Sequence, residues 1–120
     1  MSIGTIKPLV TADDVQALPN AELQLVARAA LAAGYTVDVR HIRYEYMVFA
    51  NGKHFHPLTN WMQCVRLVVD TDQTFSIDGR ISLKVGDSQE HEVRKPTTDA
   101  EYYSQMCEAV VTNTAKGFPV

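Results

Sequence analysis

Asn51-Gly52 is the pair that most constrains this chain. Both residues tolerate the positive φ of a type I′ turn, so the pair marks a two-residue hairpin wherever alternating apolar runs flank it. Such runs are present. From Tyr35, YTVDVRHI sets Val37, Val39 and His41 on one face and Asp38, Arg40 and Ile42 on the other. RYEYMVFA then sets Tyr44, Tyr46 and Val48 opposite Glu45, Met47 and Phe49. KHFH reads as the return strand, and Pro57 ends it. Antiparallel sheet is therefore required in this part of the chain.

Helical spacing brackets it. Thr11 is placed to cap a short turn over Ala12 to Leu18, which Pro19 interrupts. Asn20 caps a second segment, AELQLVARAALAA, with Gly34 as a left-handed stop. Leu23, Val26, Ala27, Ala30 and Leu31 give it one buried face, and its alanines suit close packing on a flat partner. After Pro57, Thr59 or Asn60 caps WMQCVRLVVD, whose expected buried stripe is Trp61, Cys64, Val65 and Val68, bordered by Met62 and Val69.

Asp78-Gly79 predicts a second hairpin, and Gly86-Asp87-Ser88 a turn into QEHEVRK, a polar strand suited to a sheet edge. Thr98 and Glu101 form a capping box for the helix that follows, with Ala100, Tyr103, Cys107, Val110, Val111 and Thr114 expected on its buried face. The predicted order is α-α-β-β-β-α-β-β-β-α. This is an α+β fold with a single antiparallel-rich sheet and helices packed on it. At 120 residues, positions 1–120 form a single domain.

Charge excludes some partners. A net charge of −3 argues against generic nucleic-acid binding, which needs clustered Lys and Arg. No apolar run approaches the ~20 residues of a membrane span, and the N-terminus does not read as a secretory signal. Cys64 and Cys107, 43 positions apart, match neither a disulfide framework nor a zinc spacing, and read as buried reduced thiols of a cytoplasmic protein.

Three constellations carry chemistry. His54 and His56 share a strand face, where two imidazoles can ligate one metal if His41, His91 or Cys64 completes the set. The bland alternative is two surface histidines bracketing a core Phe55. A thiol enzyme would use Cys64, about one turn into its helix, with a histidine. Arg40, Arg43, Tyr44, Tyr46 and Lys53 offer an Arg/Tyr/Lys surface for a nucleotide-like anion, as a binder or sponge. No residue is assigned a catalytic role, and no cofactor is expected.

The stretch "FHPLTNWMQCVRLV", followed by a polar sheet region and "TTDAEYYSQMCEAVV", resembles the small phage and prophage proteins around NinX of lambdoid phages. It is similar also to related phage proteins with an α-β-α sandwich. The match runs through Pro57, Leu58, Thr59, Asn60 and Trp61, and through Ala100, Cys107, Ala109 and Val110. His56 stands where those proteins have Asn, and Gln63-Cys64 where they have Asp-Ala. The resemblance implies a phage or prophage accessory protein in the bacterial host cytoplasm, and carries over no catalytic residue. The expected role is non-enzymatic binding of a host or phage protein, with the polar QEHEVRK edge available for a homo-oligomer.

Overall fold

The computed structural model describes residues 6–77, 80–85, 91–94 and 99–118, with side chains for 8–73 and 103–118. Strands β2 (Val37–Ile42) and β3 (Glu45–Ala50) pair antiparallel, Val37 opposite Ala50 and Val39 opposite Val48. All four of those side chains are buried, so the expected alternation sets the inner face. Asn51 and Gly52, at φ 53° and 81°, make the expected turn into β4 (Lys53–His54). The amide of Phe55 extends the pairing by donating to the Val48 carbonyl at 2.8 Å.

A strand absent from the sequence reading precedes these. β1 (Ile6–Leu9) pairs with β2 and closes one edge of the sheet β1-β2-β3-β4. Its four residues include Pro8, which lacks an amide and is tolerated because the strand lies at an edge. That proline is also what hides the strand from pattern reading.

Helix ends follow their caps. For α1 (Ala12–Gln16), the Thr11 hydroxyl accepts from the Asp14 amide, and the Asp14 carboxylate accepts from the Thr11 amide. For α2 (Ala21–Ala32), the Asn20 side chain accepts from the Leu23 amide at 2.9 Å. Gly34, at φ 83°, ends it as expected. The amide of Tyr35 reaches back to the Ala30 carbonyl and that of Gly34 to the Leu31 carbonyl, the paired bonds of a Schellman motif. For α3 (Trp61–Asp70) the cap is Asn60, not Thr59, accepting from the Gln63 amide at 3.1 Å.

The α+β class and the element order are as expected, apart from β1, but the strands fall into two sheets rather than one. β5 (Gln73–Ile77), β6 (Arg80–Val85) and β7 (His91–Arg94) form a separate antiparallel sheet with β7 at an edge. The cause lies in α4 (Asp99–Ala115), which buries Met106, Cys107, Ala109, Val110, Val111, Asn113, Thr114 and Ala115. Those positions cover most of the helix circumference, leaving Ser104 and Glu108 on an open strip, and so wide a buried face needs more than one covering layer. α2 packs on β2 and β3, while α4 packs on α2, α3, β6 and β7. The described layers are thus sheet, helices, sheet, whereas the phage resemblance implies helices outside a sheet.

Ala27, Ala29 and Ala30 of α2 are fully buried, and their small size permits contact with the sheet on one side and α4 on the other. Arg28 closes this junction by donating to the carbonyls of Phe118 at 2.9 Å and Ala115 at 3.1 Å, capping the C-terminus of α4. Buried Thr114 and Asn113 are satisfied through Gln73, whose amide nitrogen also reaches Thr71.

Two burial expectations are corrected. Trp61 is 36% exposed, and the buried stripe of α3 is Cys64 and Leu67. Tyr103, placed by its spacing on a buried face, is 53% exposed and meets Trp61 edge to face at 5.1 Å. Both lie in the first turns of their helices, beyond the packed middle. The turns at 78–79 and 86–88 and the capping box from Thr98 lie outside the described residues. Among the described residues no helix is long and apolar enough to cross a membrane.

Candidate functional site

The end of the β2–β3 hairpin is open to solvent, with Arg43, Tyr44 and Glu45 exposed. Here His41 and Tyr46, cross-strand partners on the inner face, stack at 4.3 Å. A groove of about 200 Å³ opens beside them, walled by Leu23, Val26, Val48, Phe55 and Leu58. Its polar groups are Glu22, Glu45, Tyr46, His54, His56 and Thr59. A second hollow of about 440 Å³ adjoins it, sharing Glu22, Leu58 and Thr59 and adding Leu25, Ser104 and Glu108.

The residues 54–60 are held by one side chain that pattern reading overlooks. Gln63 accepts from the His56 amide and donates to the His54 carbonyl, each at 2.7 Å, so its amide group replaces a neighbouring strand. The His56 carbonyl then accepts from the Thr59 and Asn60 amides, and Pro57 is buried beneath the turn. Phe55 is buried and packs edge to face on Tyr35 at 5.9 Å. Pro57, Leu58, Thr59 and Asn60 are therefore structural, with Leu58 packed on the core, while Trp61 stands at its rim.

The two histidine rings of this stretch lie 4.3 Å apart. Burial and the neighbouring His56 lower the basicity of His54. His56 Nδ1 is buried with no hydrogen-bond partner among the described residues. Sharing a face thus brings His54 and His56 together as the spacing predicts. No group of three or more His, Cys, Asp or Glu suited to a metal forms among the described residues.

The anion surface expected from Arg40, Arg43, Tyr44, Tyr46 and Lys53 does not assemble. Arg40 lies on the outer face, ion-paired with Asp38 at 2.8 Å and 4.0 Å above the Phe49 ring. Tyr46 lies on the inner face against His41. Lys53 follows the Asn51-Gly52 turn, at the opposite end of β3 from Arg43 and Tyr44. It borders instead a basin with Arg66 and Asp70, where the Asp70 carboxylate accepts from the Tyr35 hydroxyl at 2.5 Å and from Arg66 Nε at 3.0 Å.

Arg43 and Tyr44 form the other tight turn of the sheet. Ile42 pairs with Glu45, so only two residues connect the strands, and their φ values are 50° and 69°. Left-handed backbone suits Asn-Gly and penalises Arg-Tyr, which is why no sequence signal marks this turn. Tyr44 is 97% exposed. It is the most exposed large side chain of the candidate site, and it has no partner among the described residues.

Cys64 and Cys107, 1% and 3% exposed, lie close together where α3 packs on α4. Burial pushes both thiols up, and Cys107 raises Cys64 further. A nucleophilic thiol needs exposure and a lowered pKa, so the Cys64 enzyme expectation loses its chemistry. No family model, curated protein or solved structure matches the chain.

Proposed function

We propose that the protein is a non-enzymatic accessory protein of a phage or prophage, binding a host or phage protein in the bacterial cytoplasm through the end of the β2–β3 hairpin. Tyr44 carries the reading. It stands 97% exposed on a left-handed backbone, where its side chain does nothing for the fold. Strain kept in a turn without internal compensation points to a contact outside the chain. Tyrosine and arginine, the residues of this turn, are also the side chains that most often dominate binding energy at interfaces. The phage assignment rests on the likeness of residues 57–61 and their helix. Self-association along the open side of β7, which among the described residues pairs only with β6, belongs to the same proposal.

The test places a photo-crosslinking amino acid at Tyr44 in bacterial cells, with exposed Pro19 as the control position. A single adduct at 44 and none at 19 is expected. With that partner purified, Tyr44→Gly should weaken binding by at least ~10-fold, the scale of an aromatic hot spot. Identical adducts at both positions, or unchanged affinity, would refute the reading.

A further inference from the structure

We propose that the two adjoining hollows form one acidic-rimmed channel for a polypeptide segment that alternates apolar anchors with Lys or Arg. This rests on the protein-binding reading and names the kind of partner. The hollows share Glu22, Leu58 and Thr59, so an extended segment can cross from one to the other without leaving the surface. Their floors are aliphatic and aromatic, with Leu23, Val26 and Phe55 in the first and Leu25 in the second. Apolar side chains of a partner would be desolvated there.

The rim has one sign. Glu22, Glu45 and Glu108 are exposed, and among the described residues neither lining contains a Lys or Arg. Because burial and His56 hold His54 toward its neutral form, that ring adds little opposing charge. A positively charged partner meets no repulsion at this rim, whereas an acidic one meets the carboxylates of Glu22 and Glu108. A separate observation agrees. His56 lines the first hollow, and its buried Nδ1 has no partner among the described residues, which a backbone group of an extended occupant would supply.

The probes are three fluorescent peptides of equal length, alternating Leu-Lys, Leu-Glu and Ser-Lys, followed by anisotropy at low and high salt. Leu-Lys alone should bind saturably, and salt should weaken it. Glu22→Gln with Glu108→Gln should weaken Leu-Lys binding by about fivefold, the scale of two rim ion pairs. Asp13→Asn with Asp72→Asn, the same charge change elsewhere on the surface, should leave it unchanged. Equal loss in both pairs, Ser-Lys binding as tightly as Leu-Lys, or no saturable Leu-Lys binding would overturn the channel. The two proposals fail separately. A partner captured at Tyr44 whose contacting segment is acidic sinks the channel and leaves the hairpin, while Leu-Lys binding without any Tyr44 adduct does the reverse.

Discussion

Replacing Tyr44 with glycine should make the protein more stable. The fold contains its own calibration, because Arg43-Tyr44 and Asn51-Gly52 are both two-residue turns with positive φ at each position. At the second position one turn has glycine at φ 81° and the other tyrosine at φ 69°. A left-handed non-glycine residue costs roughly 1–2 kcal/mol, and a new glycine gives back about 0.5–1 kcal/mol through the unfolded chain. Tyr44 is 97% exposed, so its removal forfeits almost no burial. The net gain is about 1 kcal/mol for Tyr44→Gly, and about 1–2 kcal/mol when Arg43→Asn is added.

Gly52→Ala is the mirror experiment. A methyl at Gly52 meets nothing within 4 Å, so its cost is backbone strain alone. Urea unfolding followed by circular dichroism reads both changes. The loss on Gly52→Ala should match the gain on Tyr44→Gly in size, with the m-value constant and Tm rising about 4 °C per kcal/mol gained. A Tyr44→Gly midpoint equal to or below that of the parent would refute the reasoning, because Tyr44 would then be contributing to the fold it was argued to strain.

Other outcomes follow from the described contacts. Gln63→Leu removes both bonds to residues 54–56 and strands a carbonyl and an amide, costing about 2–3 kcal/mol by chemical denaturation; a loss under ~0.5 kcal/mol would contradict the clasp. Arg28→Met leaves the Ala115 and Phe118 carbonyls uncapped and should cost about 2 kcal/mol, with α4 amides exchanging faster in hydrogen-exchange measurements while β2 and β3 keep their order of protection.

Asp70 is held below its ordinary value mainly by the Tyr35 hydroxyl, and Tyr35 is raised mainly by burial. The carboxylate contribution is therefore present above the unfolded value of 3.8 and lost as acid takes the pH through the folded one. That of the phenol is present below 10.0 and lost as the pH climbs toward its folded value. Tyr35→Phe should flatten the urea midpoint against pH at both ends. Native Cys64 and Cys107 should react with an aromatic disulfide reagent only as fast as the α3–α4 contact opens; prompt stoichiometric reaction would contradict their burial.

Residues whose local chemistry agrees with their tertiary setting were legible from the chain. Asn20, Asn60 and Gly34 cap or stop helices because short-range bonds decide those positions, and Asn51-Gly52 turns because its backbone preference is intrinsic. The alternation of 37–50 also survives folding, since one face is buried. What was hidden depends on distant partners or defies local preference. The turn at Arg43-Tyr44 carries no signature because its residues oppose it. Gln63 looks like any polar helix residue until residues 54–56 are laid beside it. Cys64 and Cys107 meet only once α3 and α4 pack. The two-sheet division was written faintly in α4, whose small and apolar residues occupy too many directions for one covering surface. In the candidate site, pairing of His54 with His56 followed from a period of two, but the carboxylates Glu22 and Glu108 come from two separate helices that only the fold brings together.

The central place of α4 also imposes a schedule on synthesis. Its Met106, Cys107, Val110 and Val111 fill the core, and it contacts both α2 and the second sheet. Until residues 106–115 are made, the β1–β4 sheet with α2 has an open apolar surface, and so does α3 at Cys64 and Leu67. At a translation rate of about 5–20 residues per second, a 17-residue helix takes roughly 1–3 s to be made, long compared with helix and hairpin formation. For that interval the nascent chain is partly structured yet sticky, a natural client for a chaperone, and slowing translation across residues 99–115 should lower the soluble yield without touching the sequence.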